Sequence, residues 1–395
     1  MKIRPFWVLT HRYAGLAMTV FLIIVGLTGS LLAFYAELDR AVNPSFYVDA
    51  DGRSPLDFDI LIEKAEGHAP EVQIRSLWLT PNAANLSVAP RSKPDTGQPY
   101  ALDYDQLILD PYTGEELGRR TWGAISQGTI NLMPFIYKLH FNLALDDTGM
   151  WILGITALVW TLDSFVGFYL TLPAFGAGSA SQPWPRRWQR SWSIKWRGSA
   201  FRINYDLHRA GGLWLWLVLL IFAWSSVYMN MADTVYQKVM QTVSDFHEPW
   251  SDMATLEQPL ENPALSLKEA YRLGRRQFAQ AAIEQGFKIE APAAVWYNAG
   301  KGFYALSMRS DKDFQDKNGQ TRLILDANTG EQKMLLLPSG QYNGTTITSW
   351  LSALHMANVF GLPYRIFVCL LGVSIVTLSV TGVVIWLKKR RRIHA

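Results

Sequence analysis

The chain has 395 residues with one cysteine, and 49% of its residues are hydrophobic while 18% are charged. This composition excludes a disordered chain and a small disulfide-stabilised module. A mean hydropathy of +0.04 is too polar for a chain embedded entirely in a membrane and too apolar for a wholly soluble one, so we expect both kinds of region. The formal net charge is +4, a sum that hides how the charges are distributed.

Four apolar stretches predict membrane-spanning helices, because a helix needs about 20 residues to cross roughly 30 Å of hydrocarbon. They cover residues 13–35, 149–173, 211–231 and 363–387. The first stretch follows two basic residues, as a secretory signal does. Its apolar run is too long for a signal peptide and no A-x-A-like cleavage site follows it, so we interpret it as a retained membrane anchor.

Basic residues are concentrated in three short segments, namely the N-terminal tip, the middle loop and the C-terminal tail. Together they carry fifteen Lys and Arg residues and a single acid, Asp206, a net charge of +14, whereas the rest of the chain carries −10. Short Lys/Arg-rich segments stay in the cytoplasm. We therefore expect both termini inside and two long segments outside. Nucleic-acid binding is the alternative for the basic loop, and the spans on both sides of the loop argue against it.

The chain contains an internal duplication. His11-Arg-Tyr-Ala-Gly-Leu and His208-Arg-Ala-Gly-Gly-Leu open the first and third spans, 197 positions apart. A phrase ending in Asp-x-x-Thr-Gly recurs at 107–114 and 323–330, in the two outer segments. His140 and His355, 215 positions apart, each precede a further span. The chain is therefore two copies of one unit, composed of span, outer segment, histidine and span.

Each outer segment is predicted to form a small α+β module. The Asp and Gly residues of the repeated phrase are expected to form turns, for which they have structural rather than chemical reasons. The expected helices cover 56–65 and 266–279, and the expected strands cover 72–79, 100–109, 294–308 and 323–325.

Four of the seven histidines lie at membrane boundaries. His11 and His208, the inner pair, begin two spans from the cytoplasmic side, whereas His140 and His355, the outer pair, precede the other two spans on the outer side. A single boundary histidine needs no special role, but the duplication predicts two imidazoles near each face of a four-helix bundle. Facing imidazoles in such bundles hold haem. The remaining histidines are expected on the solvated surface, and they are His68, His247 and His394.

Residues near the inner pair favour haem over a bare metal ion. Gly15 and Gly212 stand four residues after the histidines and hence on the same helical face, where a flat macrocycle could lie against the backbone. Arg12 and Arg209 directly follow the histidines and could pair with haem propionates, although anchoring at the cytoplasmic face explains them equally well. A zinc or copper site usually needs three or four clustered ligands, which the sequence does not offer.

Asp163 lies inside the second span, in its cytoplasmic half. A carboxylate in a membrane is costly and indicates a function with a specific partner. We expect it to bond the free ring nitrogen of His11 or His208, or to pair with Arg12 or Arg209, as support for the cofactor. The alternative is a protonated acid that bonds a neighbouring helix for structural reasons.

The stretch 188–214 resembles the central loop and third helix of the PepSY-associated transmembrane proteins. Gly26-Leu-Thr-Gly, the Asp-x-x-Thr-Gly phrases and the terminal Val380-Thr-Gly-Val-Val-Ile-Trp-Leu-Lys-Lys are also similar, so the resemblance covers nearly the whole chain. It implies an inner-membrane protein of Gram-negative bacteria. Members similar to the ferrioxamine reductase are di-haem enzymes that reduce ferric siderophores on the periplasmic side. The resemblance carries over no siderophore-binding residue, and the haem ligands that it implies are His11, His140, His208 and His355.

The combined expectation is a multi-pass inner-membrane protein with an all-α four-helix transmembrane bundle, two small α+β periplasmic PepSY-like domains and two haem b groups. Electrons would enter at the inner pair and leave from the outer pair to a ferric siderophore. Because no G-x-G-x-x-G fingerprint is present, the donor would be a separate cytoplasmic reductase or a membrane quinol. The acidic outer side favours a neutral or cationic chelate.

Two alternatives remain. A haem-free signalling or regulatory PepSY protein would be colourless. A transporter of siderophore or metal would need polar residues along a path through the membrane, and apart from Asp163 the spans have few.

The predicted boundaries follow the duplication. They are 1–35 for the cytoplasmic tip and first span, 36–128 for the first periplasmic domain, 129–173 for its histidine segment and second span, 174–207 for the basic loop, 208–231 for the third span, 232–343 for the second periplasmic domain, 344–387 for its histidine segment and fourth span, and 388–395 for the basic tail.

Overall fold

The computed structural model describes residues 3–173, 182–317 and 319–391. The chain forms two compact units. The helical unit comprises Met1–Phe34, Ile136–Tyr236 and Leu354–Ala395, and the sheet unit comprises Tyr35–Phe135 and Gln237–Ala353. Part of the predicted basic loop, 174–181, and the end of the tail lie outside the described residues.

Helices are distributed along the whole chain. In order they are α1 (Ile3–Leu32), α2 (Tyr35–Val42), α3 (Phe58–His68), α4 (Leu132–Asn142), α5 (Asp146–Thr171), α6 (Trp184–Gln189), α7 (Ala200–Trp214), α8 (Trp216–Met231), α9 (Gln237–Val243), α10 (Pro249–Asp252), α11 (Leu267–Gln285), α12 (Asn343–His355) and α13 (Gly361–Arg391). A π-helical turn at Ala232–Tyr236 joins α8 to α9.

Within the described residues, four helices are long and apolar enough to cross a membrane, as predicted. They are α1, α5, the continuous stretch Trp216–Val243 and α13. The third differs from its predicted bounds, because the helix is interrupted at Leu215 and His208 lies on the separate helix α7. Gly211 and Gly212 shortly precede this interruption, and glycine has a weak helix propensity.

Small residues allow the membrane helices to approach closely. Helix α1 packs against α5 and α13, α8 packs against α5, and α7 packs against α13. A side chain added at Gly26 would place its Cβ 2.8 Å from the carbonyl oxygen of Gly372, so both positions exclude larger residues. Ser30 donates a hydrogen bond to the carbonyl oxygen of Cys369 at 2.8 Å. Close backbone contact and interhelical hydrogen bonds stabilise helix pairs where the hydrophobic effect gives little.

The sheet unit contains one eight-stranded antiparallel sheet in the order β4-β3-β2-β1-β5-β6-β7-β8. The strands are β1 (Val72–Leu79), β2 (Ala84–Pro90), β3 (Gln106–Leu109), β4 (Glu116–Arg120), β5 (Ile289–Asn298), β6 (Phe303–Ser310), β7 (Thr321–Asp326) and β8 (Gln332–Leu336).

The two copies thus share one sheet, which replaces the two separate modules expected from the sequence. Strand β1 of the first copy pairs with β5 of the second, with Leu77 opposite Val295. The physical reason is that each half alone would end in an unpaired strand, whose free N–H and C=O groups invite pairing. Helices α3 and α11 contribute Phe58 and Phe278 to one common core against the sheet.

Local predictions in the outer segments hold in most places. Strand β1 has its predicted bounds, and α11 begins after Ser266 with a capping box. In 100–109 only Gln106–Leu109 is a strand. The repeated phrases form the expected turns, in which Asp110 accepts backbone hydrogen bonds and Gly114 has a φ of +73°.

Candidate functional site in the helical unit

The four boundary histidines form the two pairs expected from the duplication. His11 on α1 faces His208 on α7, with ring centroids 6.1 Å apart and ring planes at 55°. His140 on α4 faces His355 at the end of α12, with centroids 6.2 Å apart and planes at 67°. Both pairs lie entirely within the helical unit.

Hydroxyl groups hold the rings of the outer pair. Nδ1 of His140 lies 2.9 Å from the hydroxyl oxygen of Thr28, and Nδ1 of His355 lies 2.7 Å from that of Ser225. Each hydroxyl donates its one hydrogen to a carbonyl oxygen of its own helix, Thr28 to Ile24 and Ser225 to Phe222. With its hydrogen on that carbonyl, each hydroxyl oxygen accepts the ring N–H, an arrangement in which Nδ1 carries the proton. Thr28 and Ser225 are 197 positions apart, the same offset as the inner histidines.

The inner pair has different acceptors. Nδ1 of His11 lies 2.8 Å from a carboxylate oxygen of Asp163, one of the contacts considered from the sequence. Nδ1 of His208 donates to the carbonyl oxygen of Leu378 at 2.9 Å, with the hydroxyl oxygen of Thr381 at 3.2 Å. Asp163 and Leu378 are 215 positions apart, so equivalent positions of the two copies hold equivalent rings.

All four rings can therefore present an unprotonated Nε2. Among the described residues, none of these four nitrogens has a hydrogen-bond partner. A metal bound midway between two imidazoles, about 2.0–2.1 Å from each nitrogen, would require ring centroids roughly 6–6.5 Å apart. The observed centroid separations of 6.1 and 6.2 Å lie within this range.

The donor set fits a cofactor that supplies most of the metal's ligands itself. The described part of the chain has no group of three or more His, Cys, Asp or Glu residues that could hold a metal ion. Two facing imidazoles complete the coordination of haem iron, whose other four ligands belong to the macrocycle. A bare zinc or copper ion would lack ligands here.

Glycines on neighbouring helices lie against three of the four rings. A Cβ added at Gly29, Gly382 or Gly167 would lie 3.0, 3.2 or 3.4 Å from Cε1 of His140, His208 or His11, respectively. Gly167 and Gly382 are 215 positions apart. The fourth ring, His355, instead stacks on Phe222 with centroids 5.0 Å apart. Sequence reasoning missed these contacts, although the offset could have revealed the second glycine pair.

Open space lies beside the inner pair. A Cβ added at Gly15 would meet no atom within 4 Å, and one added at Gly212 would meet only a methyl carbon of Leu378, at 4.0 Å. These are the two glycines expected to face a macrocycle. The space around them is compatible with a flat group next to the rings.

Arg209 has a partner that the sequence did not suggest. Its guanidinium donates to the carboxylate of Asp206 at 2.8 Å and to the carbonyl oxygen of Arg190 at 2.6 Å. Asp206 is fully buried and also accepts from Arg202. Both hydrogen bonds use Nη2, and the buried Nε has no hydrogen-bond partner among the residues described, so Nε and Nη1 are left for a further acceptor. Arg12 is half-buried and forms no ion pair within the described ranges.

The remaining histidines lie elsewhere. His68 is exposed and donates to the carbonyl oxygen of Gly114 at 2.9 Å. His247 has a side chain 41% exposed and contacts the carboxylates of Asp252 and Asp245. His394 lies outside the described residues.

These features define a membrane protein with four apolar helices and a separate antiparallel sheet region. Residues 8–389 match the family described as the PepSY-associated TM region, and the chain belongs to this family. A comparison with curated proteins found no match.

Proposed function

We propose that this chain is a di-haem oxidoreductase of the bacterial inner membrane that passes electrons to a periplasmic ferric siderophore and reduces Fe(III) to Fe(II). The observation that carries the proposal is the presence of two pairs of facing imidazoles, with ring centroids 6.1 and 6.2 Å apart and each ring held through Nδ1. His11 and His208 would hold one haem b, and His140 and His355 the other. Bound haem supplies a one-electron redox centre, which none of the side chains offers.

The residues around the rings would fix the ligands. Thr28, Ser225, Asp163 and the carbonyl of Leu378 each accept one Nδ1–H, which sets the tautomer and the plane of its ring. Such supporting hydrogen bonds also raise the basicity of a ligating imidazole. Arg12 is available to pair with a propionate, and Arg209 could do so through Nη1 or Nε, since its contacts with Asp206 and Arg190 use Nη2.

The charge distribution supports a direction of electron transfer across the membrane. The short segments that carry +14 would lie in the cytoplasm, which would put the inner pair next to the cytoplasm, both termini inside and the sheet unit in the periplasm. The donor would be an unidentified cytoplasmic reductase or a quinol dissolved in the membrane lipid.

Reduction releases iron because hard oxygen ligands bind Fe(III) better than Fe(II). Each chelate takes up one electron, so a quinol that is oxidised by two electrons would reduce two chelates in succession. The net charge of −10 outside the cytoplasmic segments favours a neutral or cationic chelate as substrate.

The proposal is tested by the absorption spectrum of the full chain purified in detergent. We expect a Soret band and two haems per chain. Single alanine variants of His11, His140, His208 and His355 should each lose about half of the haem, whereas matched variants of His68 and His247 should lose none. A colourless protein would favour the signalling alternative. Full haem retention in the His140→Ala variant would reject the outer pair.

A further inference from the structure

The acceptors of the four Nδ1–H groups are not equivalent. Three of them are neutral, namely the hydroxyls of Thr28 and Ser225 and the backbone carbonyl of Leu378. The fourth is the carboxylate of Asp163, which bonds His11. The carboxylate is specific to the first copy of the repeat, because Leu378 occupies the position of Asp163 in the second copy.

The carboxylate of Asp163 is well placed to influence the ring of His11. The side chain of Asp163 is only 8% exposed, and its Oδ2 lies 2.8 Å from Nδ1 of His11. Its Oδ1 is buried and has no hydrogen-bond partner among the residues described. Within the same ranges, His11 is the one group with which Asp163 forms an ion pair. Solvent and counter-ions screen such a buried charge far less than a surface charge.

Positive groups near the inner pair do little to offset the negative charge of Asp163 beside the ring of His11. Arg209 and Arg202 both pair with Asp206 rather than with Asp163. Arg12 follows His11 directly, but it is half-buried at the end of the membrane span, where its charge is partly screened. The direct hydrogen bond from His11 therefore dominates the electrostatics of that ring.

We propose that Asp163 gives the inner haem site the lower reduction potential of the two. The inference rests on the proposed function. A carboxylate bonded to Nδ1 makes the imidazole a more basic ligand, and a more basic ligand stabilises Fe(III) relative to Fe(II). At the outer pair the acceptors are neutral hydroxyls, which raise the basicity of their imidazoles less. Electron transfer from the inner to the outer site then runs downhill, in the direction that delivers electrons to the periplasm.

The first measurement is an equilibrium redox titration of the purified chain, followed by its absorption spectrum. We expect two resolved midpoint potentials in the wild type. The His140→Ala variant keeps the inner pair intact, and it should retain the lower of the two midpoints. Retention of the higher midpoint would overturn the inference without any change to Asp163.

The second measurement uses Asp163→Asn, because the amide oxygen can still accept the ring N–H while the charge is lost. We expect the lower midpoint alone to rise, with at least a tenfold change in the Fe(III)/Fe(II) equilibrium, about 59 mV for one electron. Asp163→Glu, which keeps the charge, should stay nearer the wild type. A shift of both midpoints, or of neither, would contradict the inference.

The two proposals fail in different ways. Absence of haem from the wild type overturns the proposed function. Two bound haems with equal potentials, or with the inner potential the higher, leave the proposed function intact and overturn the role of Asp163 alone. The low-spin ferric electron paramagnetic resonance spectrum provides an independent readout, in which Asp163→Asn should change the signal of one site only.

Discussion

Gly29 lets the ring of His140 lie directly against α1, and alanine at this position should weaken haem binding at the outer pair. A Cβ at Gly29 would lie 3.0 Å from Cε1 of His140. Ordinary carbon contacts begin near 3.5 Å, so the ring would have to move by about 0.5 Å. The hydrogen bond to Thr28 and the ligand distance cannot both tolerate such a shift, because metal–ligand distances vary by only about 0.2 Å. Overpacking of this kind costs about 1–3 kcal/mol, or roughly five- to a hundredfold in affinity.

The other glycines give a graded series. The same distance is 3.2 Å for Gly382 against His208 and 3.4 Å for Gly167 against His11, so the effect should decrease in the order Gly29, Gly382, Gly167. Gly67→Ala is the matched control, since its Cβ would meet no atom within 4 Å. Alanine stabilises helices relative to glycine by about 1 kcal/mol. The haem-free variants should therefore keep or raise their melting temperature, which separates lost ligand geometry from lost folding.

Haem titration into the haem-free chain, followed by the Soret band, measures each affinity. Gly29→Ala should lose affinity at the outer site and Gly382→Ala at the inner site. Wild-type affinity in Gly29→Ala, or an effect as large in Gly67→Ala, would refute the reasoning.

Four further substitutions have defined outcomes. Thr28→Val and Ser225→Ala each remove the acceptor of a buried ring N–H and should weaken haem binding at the outer site about 10–100-fold, measured by the same titration; unchanged affinity would contradict the tautomer assignment. A Cβ at Gly15 would meet no atom within 4 Å, so Gly15→Leu should keep or raise the melting temperature of the haem-free chain but reduce haem at the inner site. Tyr104 donates to Glu71 at 2.6 Å, and this hydrogen bond is the largest cause that lowers the pKa of Glu71 below its ordinary 4.5. The resulting stability is present above pH 4.5 and lost as the pH falls through the folded-state pKa. Tyr104→Phe should therefore lower the melting temperature at pH 7 but not in acid below that pKa; an equal loss under both conditions would point to packing instead.

The sequence predicted the histidine pairs because they repeat at fixed offsets. His11 and His208 recur after 197 positions, and His140 and His355 after 215, which is enough to predict which rings meet once two copies form one bundle. The acceptors are harder to predict. Thr28 bonds a ring that lies 112 positions away, and serine or threonine in a membrane helix usually bonds its own backbone.

The shared sheet could not be predicted from local patterns. Alternation of apolar residues identifies β1 and β5 as strands, but their pairing joins segments more than 200 positions apart. Either strand could have been a solvated edge, because a local pattern describes the faces of a strand and not its neighbours. The interruption at Leu215 was missed for a similar reason, since hydropathy continues across it and only the backbone changes.

The internal duplication allows the requirements common to both rings of a pair to be separated from the properties of a single ring. Gly167 and Gly382 are identical in the two copies and lie against equivalent rings, and Thr28 and Ser225 offer the same hydroxyl chemistry. These residues satisfy a need that the two rings of each pair share, which is to hold a ring in one place. Asp163 and Leu378 differ, although each accepts the Nδ1–H of one ring of the inner pair. Since a carbonyl oxygen already holds His208 in its place, positioning alone does not require a carboxylate at the equivalent position of the first copy. The cost of burying that carboxylate in a membrane span is therefore best explained by what its charge does to the ligand, a property that should appear in the potential of one site and not the other.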